Sequence, residues 1–552
     1  MTNIFAADFE STTNADDCRV WSWGICPVAE NPVRENVTLG TTIESFIKWC
    51  ENEEFIIYFH NLKFDGTFII YWLLTNGWKW SKELSPRRFS SVISKDSKYY
   101  SLSLCWDNGA ILTFKDSFKK LPMSVDRIAK SFNLPMSKGW IDYEADRPVG
   151  YIPTKEECDY QANDVMIIAA ALYLQLQQGM NALTVGADSL NEFKNIMGRD
   201  NFTRTFPVLD EHTDNCIRKA YRGGWCLPAK RFQREIVGPV KVYDYNSLYP
   251  SMMYDSTLPH GIPIPFVGVP NPTKVYPLWI SSATITAKLK KDHLPCIQIK
   301  NHSVFIQTEY LEEIDEPTTI SFTSVDWELW NEQYDIEVYS WDGGYYFKGG
   351  RDFFKVYIDK WMQVKMASTG GLREIAKLHL NSLYGKFATN PDVTSRHPEI
   401  VDDRVKLVMN ENEKRNSVYT AMGCFITAYA RATTVRAAQE NYDTFAYADT
   451  DSLHLVTDKE PNLRIHPSEL NAWKHEYDAD YALFWRPKAY IERRVEKGES
   501  VYETHIAGLP KAVTQDVRFC DMYEGATFKG KKVPRNVAGG VVLSEVEFCF
   551  RT

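Results

Sequence analysis

Thr444-Phe445-Ala446-Tyr447-Ala448-Asp449-Thr450-Asp451-Ser452-Leu453-His454-Leu455-Val456 is the stretch on which the fold turns. An apolar run leads in (444–447) and another leads out (453–456), which reads as two short β-strands joined by an acidic turn. Residues two apart on a strand share a face, so Asp449 and Asp451 are expected to project the same way. Two carboxylates crowded at an exposed turn repel each other. A divalent cation between them relieves that repulsion, and Mg²⁺ is held in this way, by one or two carboxylates plus substrate phosphates. A lone Asp-Thr-Asp is usually an ordinary polar turn, and only the rest of the chain changes that reading.

Upstream, a strand Val240-Lys241-Val242-Tyr243 ends in Asp244 and turns through Asn246-Ser247 into Leu248-Tyr249-Pro250, with Pro near a helix start. Between this strand and the acidic turn lies a helical hairpin, 353–367 and 372–387, broken at Gly370-Gly371. On its second helix Arg373, Lys377, Asn381 and Tyr384 fall at i, i+4, i+8 and i+11, on one stripe. Two cations a turn apart suit a triphosphate, and Tyr and Asn suit a base and its pair. The alternative is a solvated basic face, but such a face has no need of the tight string Asn381-Ser382-Leu383-Tyr384-Gly385-Lys386. Nucleotidyl transfer uses two metals that clamp the attacking and leaving oxygens, held by carboxylates from separate elements. Asp244, Asp449 and Asp451 supply those carboxylates, and Tyr245 can add only its backbone carbonyl. Lys365, Arg373 and Lys377 would neutralise the triphosphate. Tyr249 is placed to lie under the sugar, where its ring would collide with a 2′-hydroxyl and select deoxynucleotides.

The N-terminal half repeats this logic with other residues. A strand Ile4-Phe5-Ala6-Ala7 runs into Asp8-Phe9-Glu10, two acids on one face. A second, Phe55-Ile56-Ile57-Tyr58-Phe59, leads through Asn61 and Phe64 to Asp65 and a helix. Pro153-Thr154-Lys155-Glu156-Glu157 is a capping box, and the helix it opens carries Tyr160 and Asp164 one turn apart. Asp8, Glu10, Asp65 and Asp164 are thus four carboxylates from three elements, with Tyr160 able to orient a water. Phosphodiester hydrolysis needs that arrangement. Strands alternating with helices predict an α/β unit ending near residue 184. Tyr221-Arg222-Gly223-Gly224 follows. Its glycines let backbone approach a ligand closely, and its Tyr and Arg suit a base and a phosphate, or it is a plain loop.

At 552 residues the chain should hold two or more domains. It shows no apolar run of membrane-spanning length and no basic leader at Met1-Thr2-Asn3. Eleven cysteines without a Cys-x-x-Cys pair point to free thiols. A net charge of −9 argues mildly against nucleic acid as partner, so any polyanion site must be a local concentration of Lys and Arg on an acidic body.

These residues resemble a known family. Asp8-Phe9-Glu10, Asn61-Leu62-Lys63-Phe64-Asp65 and Tyr160-x-x-x-Asp164 look like the three exonuclease motifs of proofreading DNA polymerases. Asp244-x-x-Ser247-Leu248-Tyr249-Pro250, Lys377-x-x-x-Asn381-Ser382-x-Tyr384-Gly385 and Tyr447-x-Asp449-Thr450-Asp451-Ser452 look like motifs A, B and C of family B. Lys488-Ala489-Tyr490 matches that family's Lys-x-Tyr motif. Tyr221-Arg222-Gly223-Gly224 and Ser117-Phe118-Lys119-Lys120-Leu121-Pro122 are similar to motifs of the protein-primed, phi29-like branch of small phages.

The resemblance implies a mixed α/β and α+β multidomain chain, an RNase H-like 3′–5′ exonuclease domain joined to a right-hand polymerase. It implies exonuclease 1–184, palm 185–255 and 419–505, insertions 256–352 and 388–418, fingers 353–387 and thumb 506–552. The first insertion would dock a terminal protein, and the second would help close a ring on DNA. It also implies that Lys138 supports the exonuclease, that Asn61, Phe64 and Ser117 hold a single-stranded 3′ end, and that Tyr221, Arg222, Gly223, Gly224, Lys488 and Tyr490 bind DNA. Partners would be a DNA primer-template, dNTPs and a terminal protein, with Mg²⁺ (Mn²⁺ as an alternative), two ions per site. The chain would act as a monomer in the cytoplasm of an infected host cell. Phe118 replaces the family's Leu, Arg373 replaces a fingers lysine, and the net acidity would make DNA binding more salt-sensitive. Two other readings stay open at this point: a nuclease whose C-terminal half only binds nucleic acid, and a replication scaffold with decayed sites, though no acid is missing.

Overall fold

The computed structural model describes residues 3–299 and 309–550, and residues 300–308 of the first insertion lie outside the described residues. The N-terminal half is built on one ten-stranded sheet. At its centre Ile4–Ser11 pairs in parallel with Ile56–Phe59, which pairs in parallel with Ile111–Asp116. Ile56–Phe59 is a continuous apolar run at the covered centre of the sheet, whereas Ile111–Asp116 alternates buried and more open positions. Leu62–Thr75 lies near the Ile56–Phe59 strand, and Lys155–Gln177 packs on Ile4–Ser11. The expected capping box is present: Thr154 Oγ1 accepts from Glu157 N, and Glu157 reaches back to Thr154 N.

The C-terminal half has a second five-stranded sheet, ordered Trp473–Ala479, Val240–Tyr245, Ser452–Val456, Phe445–Asp449 and Cys226–Pro228. Behind it lies Thr420–Glu440, a helix rich in alanine and buried on most of its circumference. Small side chains allow that burial from several sides at once: at Gly423 an added Cβ would stand 2.5 Å from the Ala388 Cβ. The helical hairpin is Lys355–Ala367 followed by Gly370–Phe387. The glycine pair therefore opens the second helix, where the sequence reading had it lie between the two. Leu258–Phe266, Tyr334–Gly350, Leu278–Leu289 and Glu313–Thr323 form a separate four-stranded sheet within 256–352, capped by helix Ser324–Gln333.

Segment 388–418 is a β-hairpin, Asp392–Val401 and Arg404–Lys414. It adds to the edge of the N-terminal sheet, where Ser395 pairs with Ser94 and Arg396 with Ile93. The terminal hairpin, Thr527–Val537 and Gly540–Cys549, also returns to the N-terminal half. Its turn is seated so closely that a Cβ at Gly539 would stand 2.0 Å from the Cys18 carbonyl oxygen. Val405 of the first hairpin and Val541 and Val542 of the second are buried in the same core as Phe68 and Leu73. The two hairpins also touch, Asn536 Nδ2 donating to the Val405 carbonyl at 2.7 Å. The chain thus closes on itself at two points of one helix, Leu62–Thr75.

All eleven cysteines are free. Among the described residues no helix is long and apolar enough to cross a membrane.

Candidate active sites

In the first cluster Asp8 and Glu10 stand on one strand, Asp65 on the helix Leu62–Thr75 and Asp164 on the helix Lys155–Gln177. Asp65 reaches the strand directly, its Oδ1 accepting from Phe9 N at 3.2 Å. The Gln161 amide fixes the strand from the other helix by donating to the Asp8 carbonyl at 3.1 Å. Burial first and Asp164 second push the Asp8 carboxyl up to about 7. Burial and then Asp8 hold Glu10 and Asp65 well above the ordinary carboxylate range. Lys138 donates to Asp164 Oδ2 at 2.6 Å and lies 5.1 Å from the Tyr160 ring centroid. Among the described residues the other Asp164 oxygen, buried, meets no hydrogen-bond donor. Tyr160 is buried, and its hydroxyl meets that of Tyr143 at 2.6 Å. Tyr143 is a residue the sequence reading passed over, since it lies in an irregular stretch with no periodicity to mark it.

Asn61 sits in the left-handed region, φ 78°, with its N–H given to Asp116 Oδ1 at 3.1 Å. Phe64 is half-buried on the same helix start. Ser117 is wholly buried, and its hydroxyl meets the Phe59 carbonyl at 3.1 Å and His60 Nδ1 at 3.0 Å. Ser117 thereby orients His60.

In the second cluster three strands share one register. Asp244 pairs with Ser452, and Ser452 pairs with Asp449, so the two acids flank one residue on neighbouring strands. Asp449 and Asp451 do not sit on one strand. Thr450 between them has φ 64°, and Asp451 N donates back to the Asp449 carbonyl at 2.8 Å. A tight turn, and not strand alternation, brings the pair together, and Tyr245 N anchors it from the next strand by donating to the Asp451 carbonyl at 2.7 Å. Burial first, then Asp451 and Glu476, push the Asp244 carboxyl up to about 7. Lys488 donates to both oxygens of Asp449, at 2.6 and 2.8 Å. Tyr490 stacks on His505, centroids 4.8 Å apart. These groups line a cavity of about 680 Å³ with Asp244, Asp451, His454 and Glu476.

Tyr221-Arg222-Gly223-Gly224 reads differently in three dimensions. Arg222 is buried, and its guanidinium donates to the carbonyls of Ser321 at 2.8 Å and of Gln298 and Ala220 at 3.2 Å. Two of these three acceptors, Gln298 and Ser321, lie in the first insertion. Gly224 lies against the acidic turn, where a Cβ would stand 2.6 Å from Thr450 Oγ1. Gly223 has open space where a side chain would go, and Tyr221 is half-buried.

Lys365, Arg373 and Lys377 gather at the mouth of the helical hairpin. Burial, then Arg373 and Lys377, hold the Lys365 ammonium below its ordinary value. Lys365 Nζ donates to Ser247 Oγ at 3.2 Å, Arg373 Nη1 to the Lys365 carbonyl at 2.6 Å, and Lys377 Nζ to Glu374 at 2.6 Å. Asn381 is exposed, and Tyr384 stacks on Tyr249.

Among the described residues no three His, Cys, Asp or Glu side chains converge on one point as a closed cation cage. The donor set nonetheless fits hard divalent ions. It is all carboxylate, it crowds like charges, and among the described residues it leaves a buried Asp164 oxygen without a hydrogen-bond donor.

Residues 48–152 and 144–470 match the family of organellar and viral type B DNA polymerases. The chain is 39% identical to the DNA polymerase of Bacillus phage Nf, over 99% of each chain. Its fold is similar to solved structures of phi29 DNA polymerase, each 38% identical over 99% of both chains. The complex with primer-template DNA and incoming nucleotide substrates superposes with a TM-score of 0.93, and the complex with single-stranded DNA with 0.92.

Proposed function

Since this chain belongs to the type B DNA polymerases, close to those of phi29-type phages, and is a DNA-directed DNA polymerase, we propose that it extends primers at Asp244, Asp449 and Asp451 and proofreads at Asp8, Glu10, Asp65 and Asp164. The observation that carries this reading is the shared register of Asp244, Ser452 and Asp449 at the mouth of a cleft walled by Lys488 and Tyr490. Two mutually repelling acid sets in separate halves of one chain need separate cations and perform separate chemistry.

In synthesis, Lys365, Arg373 and Lys377 receive the triphosphate of the incoming nucleotide. Tyr384 and Asn381 meet its base, and Tyr249 lies beneath its sugar. Lys488 and Tyr490 hold the primer strand. In trimming, Asn61, Phe64 and the Ser117–His60 pair receive the single-stranded 3′ end. Tyr160, held by Tyr143, orients the attacking water, and Lys138 fixes Asp164. Divalent ions, Mg²⁺ or Mn²⁺, would be held by Asp244, the Tyr245 carbonyl, Asp449 and Asp451 in one site and by Asp8, Glu10, Asp65 and Asp164 in the other, and when bound would supply Lewis-acid stabilisation of charge on the reacting phosphate.

The reading extends to partners. A DNA primer-template and dNTPs are the substrates, as in the phi29 polymerase complexes. A terminal protein with an accessible hydroxyl would start synthesis by docking on insertion 256–352, and hairpin 388–418 would drive strand displacement. The chain would work as a monomer in the cytoplasm of an infected cell. The direct test is extension of a primed single-stranded circle with Mg²⁺ and dNTPs, with and without a chelator. Chelator-sensitive synthesis is expected, and none under any metal condition would overturn the reading. Protein priming is tested by covalent transfer of one deoxynucleotide to the cognate terminal protein. Failure there, while an oligonucleotide primer is extended, would remove that part alone.

A further inference from the structure

Helix Val185–Met197 leaves the exonuclease half and runs along the helical hairpin of the nucleotide site. It carries two carboxylates one turn apart, Asp188 and Glu192, which neither candidate site uses. Asp188 is buried and faces back. Its Oδ2 receives Lys120 Nζ at 2.7 Å, and its Oδ1 receives Ala182 N at 2.7 Å. Lys120 is itself wholly buried, and it lies three residues beyond Ser117, in the segment that orients His60. The Lys120 carbonyl is held in turn by the Gln175 amide at 2.9 Å, on the helix that carries Asp164.

Glu192 faces forward. Its carboxylate accepts from Lys360 Nζ and, at 2.9 Å, from the Trp361 indole N–H, both on helix Lys355–Ala367. The same carboxylate stands 3.2 Å from His379 Nδ1 on helix Gly370–Phe387. Trp361 and His379 stack face to face, centroids 3.9 Å apart at 12°. One carboxylate therefore ties together both helices that carry Lys365, Arg373 and Lys377. Packing joins the same bodies. A Cβ at Gly186 would stand 3.1 Å from Lys386 Cδ and 3.4 Å from the Ser382 carbonyl oxygen. A Cβ at Gly371 would stand 2.4 Å from the Phe132 ring, so the start of the nucleotide-binding helix is seated on the end of exonuclease helix Val125–Ser131.

We propose that Asp188 and Glu192 are positioning residues, and that Val185–Met197 is a strut that sets the 3′-end segment of the exonuclease and the nucleotide-binding helix at one fixed separation. This rests on the two-site reading above and adds that the sites share a mechanical element. A helix is stiff along its axis, and close-packed interiors pass displacement on without absorbing it. Loosening either carboxylate therefore shifts the strut and is felt at both ends. The strut would set how the enzyme divides a primer end between extension and trimming.

The test is cross-effect. Glu192→Gln touches nothing in the exonuclease half, and Asp188→Asn touches nothing in the helical hairpin. Each is assayed for trimming of a single-stranded oligonucleotide without dNTPs, and for KM and kcat of dNTP incorporation on a primed template. Asp188→Asn is expected to raise the dNTP KM on the order of 3- to 10-fold with kcat little changed, and Glu192→Gln to change the trimming rate by a similar factor, the range of coupling through packed elements. A purely structural role would lower the yield of folded enzyme and leave KM alone. Because Asp188→Asn leaves the buried Lys120 ammonium without its counter-charge, with the Ala182 carbonyl still accepting from it at 3.0 Å, the double variant Lys120→Met with Asp188→Leu serves where the single one does not fold. Effects confined to the nearer site, trimming for Asp188 and KM for Glu192, would overturn the strut. Loss of trimming or synthesis in the wild type would instead overturn the two-site reading.

Discussion

Tyr249 and Tyr384 lie face to face, ring centroids 3.9 Å apart and 16° from parallel. One ring comes from the helix after the Asp244 strand and the other from the helix of Arg373 and Lys377, so the stack joins the two sides of the proposed nucleotide site. Burial first and Tyr384 second hold the Tyr249 hydroxyl well above the ordinary phenol range, which keeps it neutral. In the proposed reading, a ring braced in this way resists moving aside for a 2′-hydroxyl. Tyr249→Val is expected to raise the ratio of ribonucleotide to deoxynucleotide incorporation on the order of 10²-fold, or ~2.7 kcal/mol of discrimination. Tyr384→Ala should relax the same ratio without touching the sugar, by removing the brace. An unchanged ratio in Tyr249→Val would remove the gate.

The two acid clusters belong to different sheets, so their losses should separate. Asp244→Ala or Asp451→Ala should abolish synthesis and leave 3′ trimming, and Asp8→Ala with Asp65→Ala should do the reverse. Each lost ligand should cost on the order of 10²-fold or more in rate. Trimming that vanished with Asp244→Ala in a folded protein would show that one site serves both reactions.

Spacing in the sequence exposed the acids, because catalytic carboxylates must come from fixed points on regular elements. Strand alternation placed Asp8 and Glu10 on one strand, and the Asp244 and Asp449 strand ends stood out by their apolar lead-ins. The same reasoning gave a wrong cause for Asp449 and Asp451. A left-handed Thr450 makes that turn, and non-glycine residues with positive φ leave little local signal. Arg222 and Ser117 are both buried and bonded to groups far away in sequence, which their motifs do not announce. Burial depends on segments far away in sequence, such as the Ser321 carbonyl for Arg222, and no local pattern reports it.

Arg431 reaches across the back of the synthesis site. It donates to the carbonyls of Arg222 and Gly223 at 2.9 Å and pairs with Asp326 at 2.6 Å, both partners of the ion pair being almost wholly buried. Burial alone would raise the Asp326 carboxyl, but Arg431 and then Arg222 outweigh it and hold it below the ordinary range. A depressed acid contributes stability above its unfolded pKa, and that contribution is lost as pH falls through the folded value. Asp326→Asn should therefore destabilise by ~3 kcal/mol at neutral pH, since it strands a buried guanidinium. The deficit relative to wild type should shrink as pH drops below the ordinary Asp value of 3.8. Chemical denaturation of both proteins across that range measures it, and a deficit that stayed constant with pH would mean that the pair carries no net ionisation linkage.

The hairpin 388–418 is clasped, not free, and that sharpens the expectation for strand displacement. Its root edge joins the exonuclease sheet at Ser395 and Arg396, with Arg396 Nε on the Lys95 carbonyl at 2.8 Å. Trp80 stacks on His397 at 4.7 Å, and Lys82 pairs with Glu413 at 2.7 Å. Its tip, Asp402-Asp403 with φ 51° and 56°, is a two-residue turn of the kind that matches strand twist, and Asp403 accepts from the Tyr71 hydroxyl at 2.9 Å. With the terminal hairpin seated beside it, the proposed role has this arch narrow the template path past the exonuclease half. Replacing 389–417 by a short Gly/Ser linker should leave extension over a few open template nucleotides nearly intact. It should shorten products on a primed circle and stop synthesis at a downstream duplex. Removing Val405 also takes a buried side chain from the exonuclease core, at a cost of ~1.5–3 kcal/mol, so thermal stability must be checked alongside. A gentler variant, Trp80→Ala with Arg396→Ala, loosens the clasp while keeping the hairpin, and should lower displacement without lowering short extension. A deletion variant that still copied a circle many times, peeling off its own product, would move the role to another part of the chain.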